Sequence, residues 1–210
     1  SGYESIRQGS TSSPALAGFC RGIKWFRDAT SFQKYEATST VIRYQGVFDI
    51  TNTGGLSLSN LSYWSFVIWD KTTMVIVGKG NNPQTHQIGT SNLTVDMTGS
   101  PPQAVCCSVV GEFLVLGQIP NLRARVQWSG LNDITNWTPG TNQSDYQDLI
   151  ESDGSVSAIA DVGFGVVFQD SAITRMTYVG TPLVFQFDKI SNKGTTEGNA
   201  VVVVDKDIYF

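Results

Sequence analysis

The chain has 210 residues, of which 15% are charged, 11% are aromatic and 21 are glycine, and its formal net charge is −4. This composition suits many short strands joined by tight turns and suits long helices poorly. The negative charge argues against a protein that binds nucleic acid over its whole surface, and without an apolar stretch of about 18 residues no membrane insertion is expected.

A loose repeat organises the sequence, and its period of roughly 40 to 50 residues is typical of the blades of a β-propeller. Apolar strands that open successive units are predicted at 21–26, 64–69, 104–110, 156–162 and 199–204. Second strand-like runs follow at 40–44, 74–78, 113–117, 165–169 and 207–210. Short polar turns, as at 70–73 and 205–206, join these runs into hairpins. The pattern therefore predicts antiparallel blades.

Outer strands are predicted for the later units. The segment 123–129 alternates polar and apolar residues, and the fourth unit adds strands at 172–178 and 183–190. Helical patterns are almost lacking, and the best short helical turn is at 147–152. The segment 136–155 is predicted to be a long polar loop of the kind that contacts a neighbour. Its candidate partner contacts are Asp145, Asp148, Glu151 and Asp153.

The fold class predicted is all-β and propeller-like, in a single domain or segment, with about four blades of antiparallel strands and the start of a fifth. The blades are predicted at roughly 18–60, 61–100, 101–150 and 151–196, and the next begins at 197–210. The sequence ends at Tyr209 and Phe210, inside an apolar strand. A closed propeller pairs its last strand with its first. We therefore expect a segment of a larger propeller, or edges that neighbouring subunits cover.

Reactive residue types are sparse, and we predict no catalytic residue, metal site or cofactor. The one histidine, His86, is expected on a solvent-facing strand or loop, because no second histidine accompanies it as a metal ligand. The adjacent Cys106 and Cys107 should point to opposite faces of a strand and, like Cys20, stay reduced. The glycines near 78–80 and 163–165 lack phosphate-loop spacing and are interpreted as hairpin turns.

The third and fourth units resemble a known family. The runs VVGEFLVLG at 109–117, RVQWSGLND at 125–133 and NWT at 136–138 resemble the blade motif of β-propeller proteins in tailed-phage virions. The fourth unit continues the pattern, and the resemblance weakens before residue 102. The residues that carry the signature are Arg125, Trp128, Asn132, Asp133, Trp137, Arg175 and Tyr178. An indole such as Trp128 can bury a large area between adjacent blades.

The resemblance implies a non-enzymatic tail hub, nozzle or head-to-tail stabilisation protein of a short-tailed phage, assembled in the host cytoplasm. Such proteins normally form a ring of six copies around the DNA channel, retain packaged DNA and carry tail fibres, spikes or a needle. The implied partners are a tail adaptor or portal-proximal ring and these appendages, and DNA passes through the lumen without sequence-specific binding. Two alternatives remain open: a propeller that serves as a protein-interaction platform, and a carbohydrate-binding or glycosidase propeller that would need Trp128 or Trp137 for glycan binding.

Overall fold

The computed structural model describes residues 18–28, 31–59 and 61–210. These residues form five antiparallel sheets, so the predicted all-β class is confirmed. The helical structure found there consists of two 3₁₀ turns, Glu151–Asp153 and Gly198–Ala200. Neither turn, nor any other segment in the described ranges, is a helix long and apolar enough to cross a membrane.

The sheets follow one another along the chain. Sheet 1 contains β1 (Gly22–Arg27), β2 (Phe32–Ala37), β3 (Ile42–Tyr44) and β4 (Phe48–Asp49). Sheet 2 contains β5 (Trp64–Ile68), β6 (Thr73–Gly78), β7 (Gln84–Gln87) and β8 (Val95–Asp96). Sheet 3 contains β9 (Cys106–Val110), β10 (Phe113–Ile119), β11 (Leu122–Trp128) and β12 (Asp145–Asp148). Sheet 4 contains β13 (Val156–Asp161), β14 (Gly165–Gln169), β15 (Ile173–Gly180) and β16 (Val184–Ser191). Sheet 5 contains β17 (Val202–Val204) and β18 (Asp207–Tyr209). In every sheet, strands adjacent in sequence pair with each other.

Consecutive sheets pack face to face, and we call the apolar core between two of them a seam. The second strand of a central sheet contributes side chains to the seams on both of its faces. In β10, Leu114 and Leu116 face sheet 2, while Phe113 and Val115 face sheet 4. Because both faces are buried, these strands are continuous apolar runs rather than alternating ones. Seam 1–2 includes Tyr35, Ile42, Trp64, Met74 and Ile76. Seam 2–3 includes Val75, Val77, Cys107, Leu114, Leu116 and Trp137. Seam 3–4 includes Phe113, Val115, Trp128, Val167, Met176 and Phe185. Seam 4–5 includes Ala160, Val166, Phe168, Val201 and Ile208.

The first strands of consecutive sheets lie next to each other. At the start of β5, the Trp64 amide donates to the Arg21 carbonyl across 2.9 Å. The Cys107 amide of β9 donates to Ser65 Oγ of β5 at 3.2 Å, and β13 packs against β9. The two cysteines of β9 divide between its faces, with Cys106 in seam 3–4 and Cys107 in seam 2–3. All three cysteines are free, as predicted.

One predicted loop is partly a strand. Asp145–Asp148 forms β12 and pairs with β11, so 136–155 is not one long loop, and the helical turn expected at 147–152 is limited to the 3₁₀ turn at Glu151–Asp153. The prediction was wrong because β12 has no apolar alternation of its own. Its strand geometry comes from hydrogen bonds to a neighbouring strand, which local sequence does not record.

Sheet 1 has an open face. Ile23 and Trp25 alternate with half-buried residues along β1, and they are 55% and 56% exposed. Phe32 on the neighbouring strand is 63% exposed. This open face of sheet 1 therefore mixes exposed apolar side chains with the charged residues Arg27, Lys34 and Glu36, and no sheet among the described residues covers it.

Candidate functional site

A central cavity of about 920 Å³ lies where the first strands meet, and residues of every described sheet line it. Lining residues from successive sheets include Lys24, Ser65, Ser108, Ser157 and Val203. Strands of five sheets therefore surround one space. Both hydroxyl and aliphatic side chains line its wall.

The charges of the cavity are mixed. Its ionisable lining residues, apart from the cysteines and a tyrosine, are Lys24, Lys79, Asp161, Asp170 and Glu197. Burial raises the pKa of Asp161, although the backbone N–H of Gly163 opposes this. In the residues that the structure describes, no group of three or more His, Cys, Asp and Glu side chains is placed to bind a metal ion. A polar cavity without dense charge of one sign suits passage or packing of a polar segment better than strong binding of an ion.

The signature residues after β11 form a closed loop. Asp133 Oδ1 accepts hydrogen bonds from the amide of Thr135 at 2.9 Å and from its hydroxyl at 2.6 Å. Asn132 adopts a φ of 53°, and its amide donates to the Glu112 carbonyl at 2.9 Å. Trp137 is buried in seam 2–3, and its Nε1 donates to the Ile134 carbonyl at 2.7 Å. These side chains fix the path of the loop between two seams.

Trp128 lies in seam 3–4, where only 2% of it is exposed. Its ring packs edge to face on Phe185 with 5.1 Å between centroids, and its Nε1 donates to the Gln143 carbonyl at 2.8 Å. Phe187 lies against the same indole at 6.0 Å. Because Trp128 and Trp137 are both buried, neither presents a ring on which a glycan could stack.

No protein-family model matches the chain. No curated protein matches it either.

The remaining signature residues lie on β15 and contact aromatic rings. The Arg175 guanidinium lies 4.2 Å from the centroid of the Phe164 ring, and the Tyr178 ring lies 5.7 Å from that of Phe113. Tyr178 also donates its hydroxyl proton to Gln143 Oε1 at 2.9 Å. The sequence did not identify Phe113 and Phe185 as partners, because the residues that meet in a seam are far apart in sequence.

The four candidate partner contacts are not equally available. Asp148 accepts two hydrogen bonds from Arg125, at 2.6 and 2.7 Å, and the Arg125 guanidinium also lies over the Tyr146 ring at 3.8 Å. Asp153 accepts from Lys189 Nζ at 2.9 Å. Asp145 accepts from the Tyr146 amide, and Glu151 is exposed in the 3₁₀ turn. Two of the four carboxylates are thus already paired within the chain.

The expectation that His86 faces solvent is wrong. His86 lies on β7 and is 2% exposed, packed against Tyr35 and Tyr44 of sheet 1. Its Nδ1 lies 2.7 Å from the Tyr35 hydroxyl, whereas its Nε2 has no hydrogen-bond partner among the described residues. The sequence could not predict this position, because polar Gln84 and His86 alternate inward along β7 and the partner of His86, Tyr35, comes from another sheet.

His86 is expected to make stability depend on pH. Burial lowers the pKa of His86, and the backbone of Asn92 opposes this only in part. The unfolded chain therefore binds a proton that the folded chain resists, so this contribution is fully present above about pH 6.5 and is lost as the pH falls through the folded pKa. We expect the free energy of unfolding to fall by up to about 1.4 kcal/mol per pH unit in that window.

Urea unfolding of the native chain and of His86→Gln, measured from pH 8 to 5, tests this. The difference in the free energy of unfolding between the two proteins should shrink as the pH falls, because only the native chain contains this histidine. The carboxylates that both proteins share affect them equally and cancel in the difference. Parallel stability curves would show that the ring titrates alike in the folded and unfolded chains.

Proposed function

We propose that this chain is a β-propeller segment with a structural, non-enzymatic role in the tail of a short-tailed phage, as part of its hub or nozzle. The observation that carries the proposal is the order of the sheets. Sheets 1 to 5 follow the chain, pack face to face through four successive seams, and bring their first strands to one cavity. Radial stacking of four-stranded antiparallel sheets is the plan of a propeller.

The signature residues support the same proposal through their structural roles. Trp128 and Trp137 fill consecutive seams, and Asp133 closes the loop between them. A motif that stabilises blades needs such buried indoles and turn-forming carboxylates. The resemblance to phage virion propellers rests on these residues, and their contacts give it a physical basis.

The open face of sheet 1 is where we place a further contact. Ile23, Trp25 and Phe32 are apolar and more than half exposed. In the proposed propeller another sheet covers this face, as consecutive sheets cover each other elsewhere in the chain. Because these side chains are only 55% to 63% exposed, covering them contributes part of the about 1.5 to 3 kcal/mol that full burial of an exposed apolar side chain gives.

The resemblance implies a ring of six subunits. In the proposed ring the DNA channel runs along the rotational axis of the ring, outside the central cavity of each subunit. A formal net charge of −4 suits a channel wall past which DNA moves without being bound. The adaptor or portal-proximal ring would contact one end of the ring, and fibres, spikes or a needle the other. These contacts would retain packaged DNA until ejection.

Electron cryomicroscopy of purified particles tests the proposal. We expect peptides of this chain in the particles by mass spectrometry, and density for sheets 1 to 5 repeated around a rotational axis. Trp25→Asp on the open face should leave the described sheets folded but prevent incorporation, whereas Leu183→Asp, on an exposed turn outside that face, should not. A soluble monomer that is absent from particles and binds cellular peptides would contradict the tail role.

A further inference from the structure

Two buried polar atoms beside seam 1–2 lack a hydrogen-bond partner among the described residues. They are Nε2 of His86 and Oγ1 of Thr94. Each of the two residues is 2% exposed, so bulk solvent does not reach these atoms. A buried polar group without a partner is costly, and nearly all such groups in folded proteins bond to protein or to an ordered water molecule. Each of these atoms therefore calls for a partner.

His86 and Thr94 are neighbours across two paired strands. β7 pairs with β8, and because Thr85 is matched with Val95, the next position places His86 opposite Thr94. Opposite side chains project from the same face of a sheet, with about 4.5 to 5.5 Å between their Cβ atoms. Here that face is the buried one, on which His86 packs against Tyr35 of sheet 1. The two unpaired atoms therefore lie in one small region between sheets 1 and 2.

The connection from β7 to β8 closes over this region. Ile88, at its start, packs against the apolar core of seam 1–2. The next amide, that of Gly89, donates to the Tyr44 hydroxyl at 3.1 Å. At the other end of the connection, the Thr94 amide donates to the Ile50 carbonyl at 2.7 Å. Both ends of the connection are thus tied to sheet 1, which encloses the His86 ring.

The Tyr35 hydroxyl determines which nitrogen of His86 carries the proton. It lies 2.7 Å from Nδ1, and burial raises the pKa of Tyr35, so the phenol keeps its proton. That proton needs an acceptor, and Nδ1 is the acceptor within reach. A neutral imidazole that accepts at Nδ1 carries its own proton on Nε2. The unpaired Nε2 is therefore a donor.

Acceptors lie close to this donor, but none bonds to it directly. Burial lowers the pKa of His86, and the backbone of Asn92 acts in the opposite sense, as a carbonyl oxygen that faces the ring does. No hydrogen bond joins Nε2 to that oxygen or to Thr94 Oγ1. One donor and two oxygen atoms therefore surround the same enclosed region. A buried water molecule typically makes about three hydrogen bonds to groups of this kind.

We propose that seam 1–2 binds one internal water molecule, which accepts the Nε2 proton of His86 and forms a hydrogen bond with Thr94 Oγ1. A proton of the same water is available to the Asn92 carbonyl. The water gives both unpaired atoms a partner and ties the connection from β7 to β8 to the ring of His86. A metal ion does not suit this position, because a protonated Nε2 has no lone pair to donate. The proposal is independent of a role in a phage tail.

Oxygen-17 magnetic relaxation dispersion tests the proposal, because it detects whole water molecules held in the protein and not exchanged protons. We compare the native chain with the double variant His86→Phe, Thr94→Val, which removes both side-chain partners. The dispersion amplitude should fall by that of about one water molecule. Thr85→Val, the same threonine replacement on the opposite face of β7, should leave the amplitude unchanged. Water in the central cavity contributes equally to all three proteins and cancels.

NMR of the native chain gives a second test that needs no variant to fold. His86 is the only histidine of the chain, so its ring signals are identified without further assignment. We expect nitrogen-15 spectra near pH 8 to show the proton on Nε2, with a ROESY cross-peak to water whose sign indicates contact rather than exchange. A proton on Nδ1, an Nε2 proton without contact to water, or equal dispersion amplitudes in the native chain and the double variant would overturn the proposal.

Discussion

Replacing Trp128 with alanine is expected to lower the free energy of unfolding by about 3 to 5 kcal/mol. The indole is almost fully buried in seam 3–4, where it packs on Phe185, and its Nε1 donates to the Gln143 carbonyl. The substitution leaves a cavity between two sheets and removes the donor for a backbone carbonyl. Urea unfolding followed by far-ultraviolet circular dichroism measures the loss.

Trp25→Ala is the matched control. It removes the same side chain from the open face of sheet 1, where Trp25 is 56% exposed and contacts Lys34 at 5.5 Å. We expect a change of less than about 1 kcal/mol, as for other exposed positions. Equal losses for the two variants would mean that Trp128 does not join two sheets in the way described.

Gly99→Ala is expected to be nearly as damaging. Gly99 lies between β8 and β9 with a φ of 85°, and an added Cβ would lie 1.6 Å from the Thr135 carbonyl oxygen. Thr135 belongs to the loop that Asp133 closes, so the backbone on the other side of the contact is itself fixed. The left-handed conformation costs an alanine about 1 to 2 kcal/mol, and overpacking adds about 1 to 3 kcal/mol.

Gly89→Ala separates these two costs. Gly89 has a φ of 86°, but an added Cβ would meet nothing within 4 Å. The Gly89→Ala variant should therefore lose only the conformational part of the free energy of unfolding, about 1 to 2 kcal/mol. Thermal unfolding of both variants gives the comparison, and the close approach of Gly99 to Thr135 is refuted if they unfold at the same temperature.

The sequence predicted the features that depend on local pattern. Continuous apolar runs separated by turn residues indicated the first two paired strands of sheets 2 to 5, and the adjacent cysteines were correctly assigned to opposite faces of β9. In sheet 1 the prediction was wrong, because β1 pairs with β2 (Phe32–Ala37) and the run predicted at 40–44 falls on β3. A residue such as Asp70 signals its turn directly, because its carboxylate accepts from the amides of Thr72 and Thr73. These features need no information from distant parts of the chain.

Features that depend on contacts between sheets were not predicted. β12 is polar and is a strand only because β11 pairs with it, and His86 is buried only because Tyr35 of another sheet supplies a hydrogen-bond partner. In each of these cases the deciding contact comes from another strand or another sheet, so the local sequence does not record it.

The division of Cys106 and Cys107 between two seams has a chemical consequence. Burial raises the pKa of both thiols, that of Cys107 to about 12, so at neutral pH neither forms the nucleophilic thiolate that attacks peroxides and disulfides. Because they point to opposite faces, they do not bond to each other either. Seams 2–3 and 3–4 should therefore keep the same covalent structure in oxidising and in reducing surroundings, and exposed Cys20 is the cysteine that oxidants can reach.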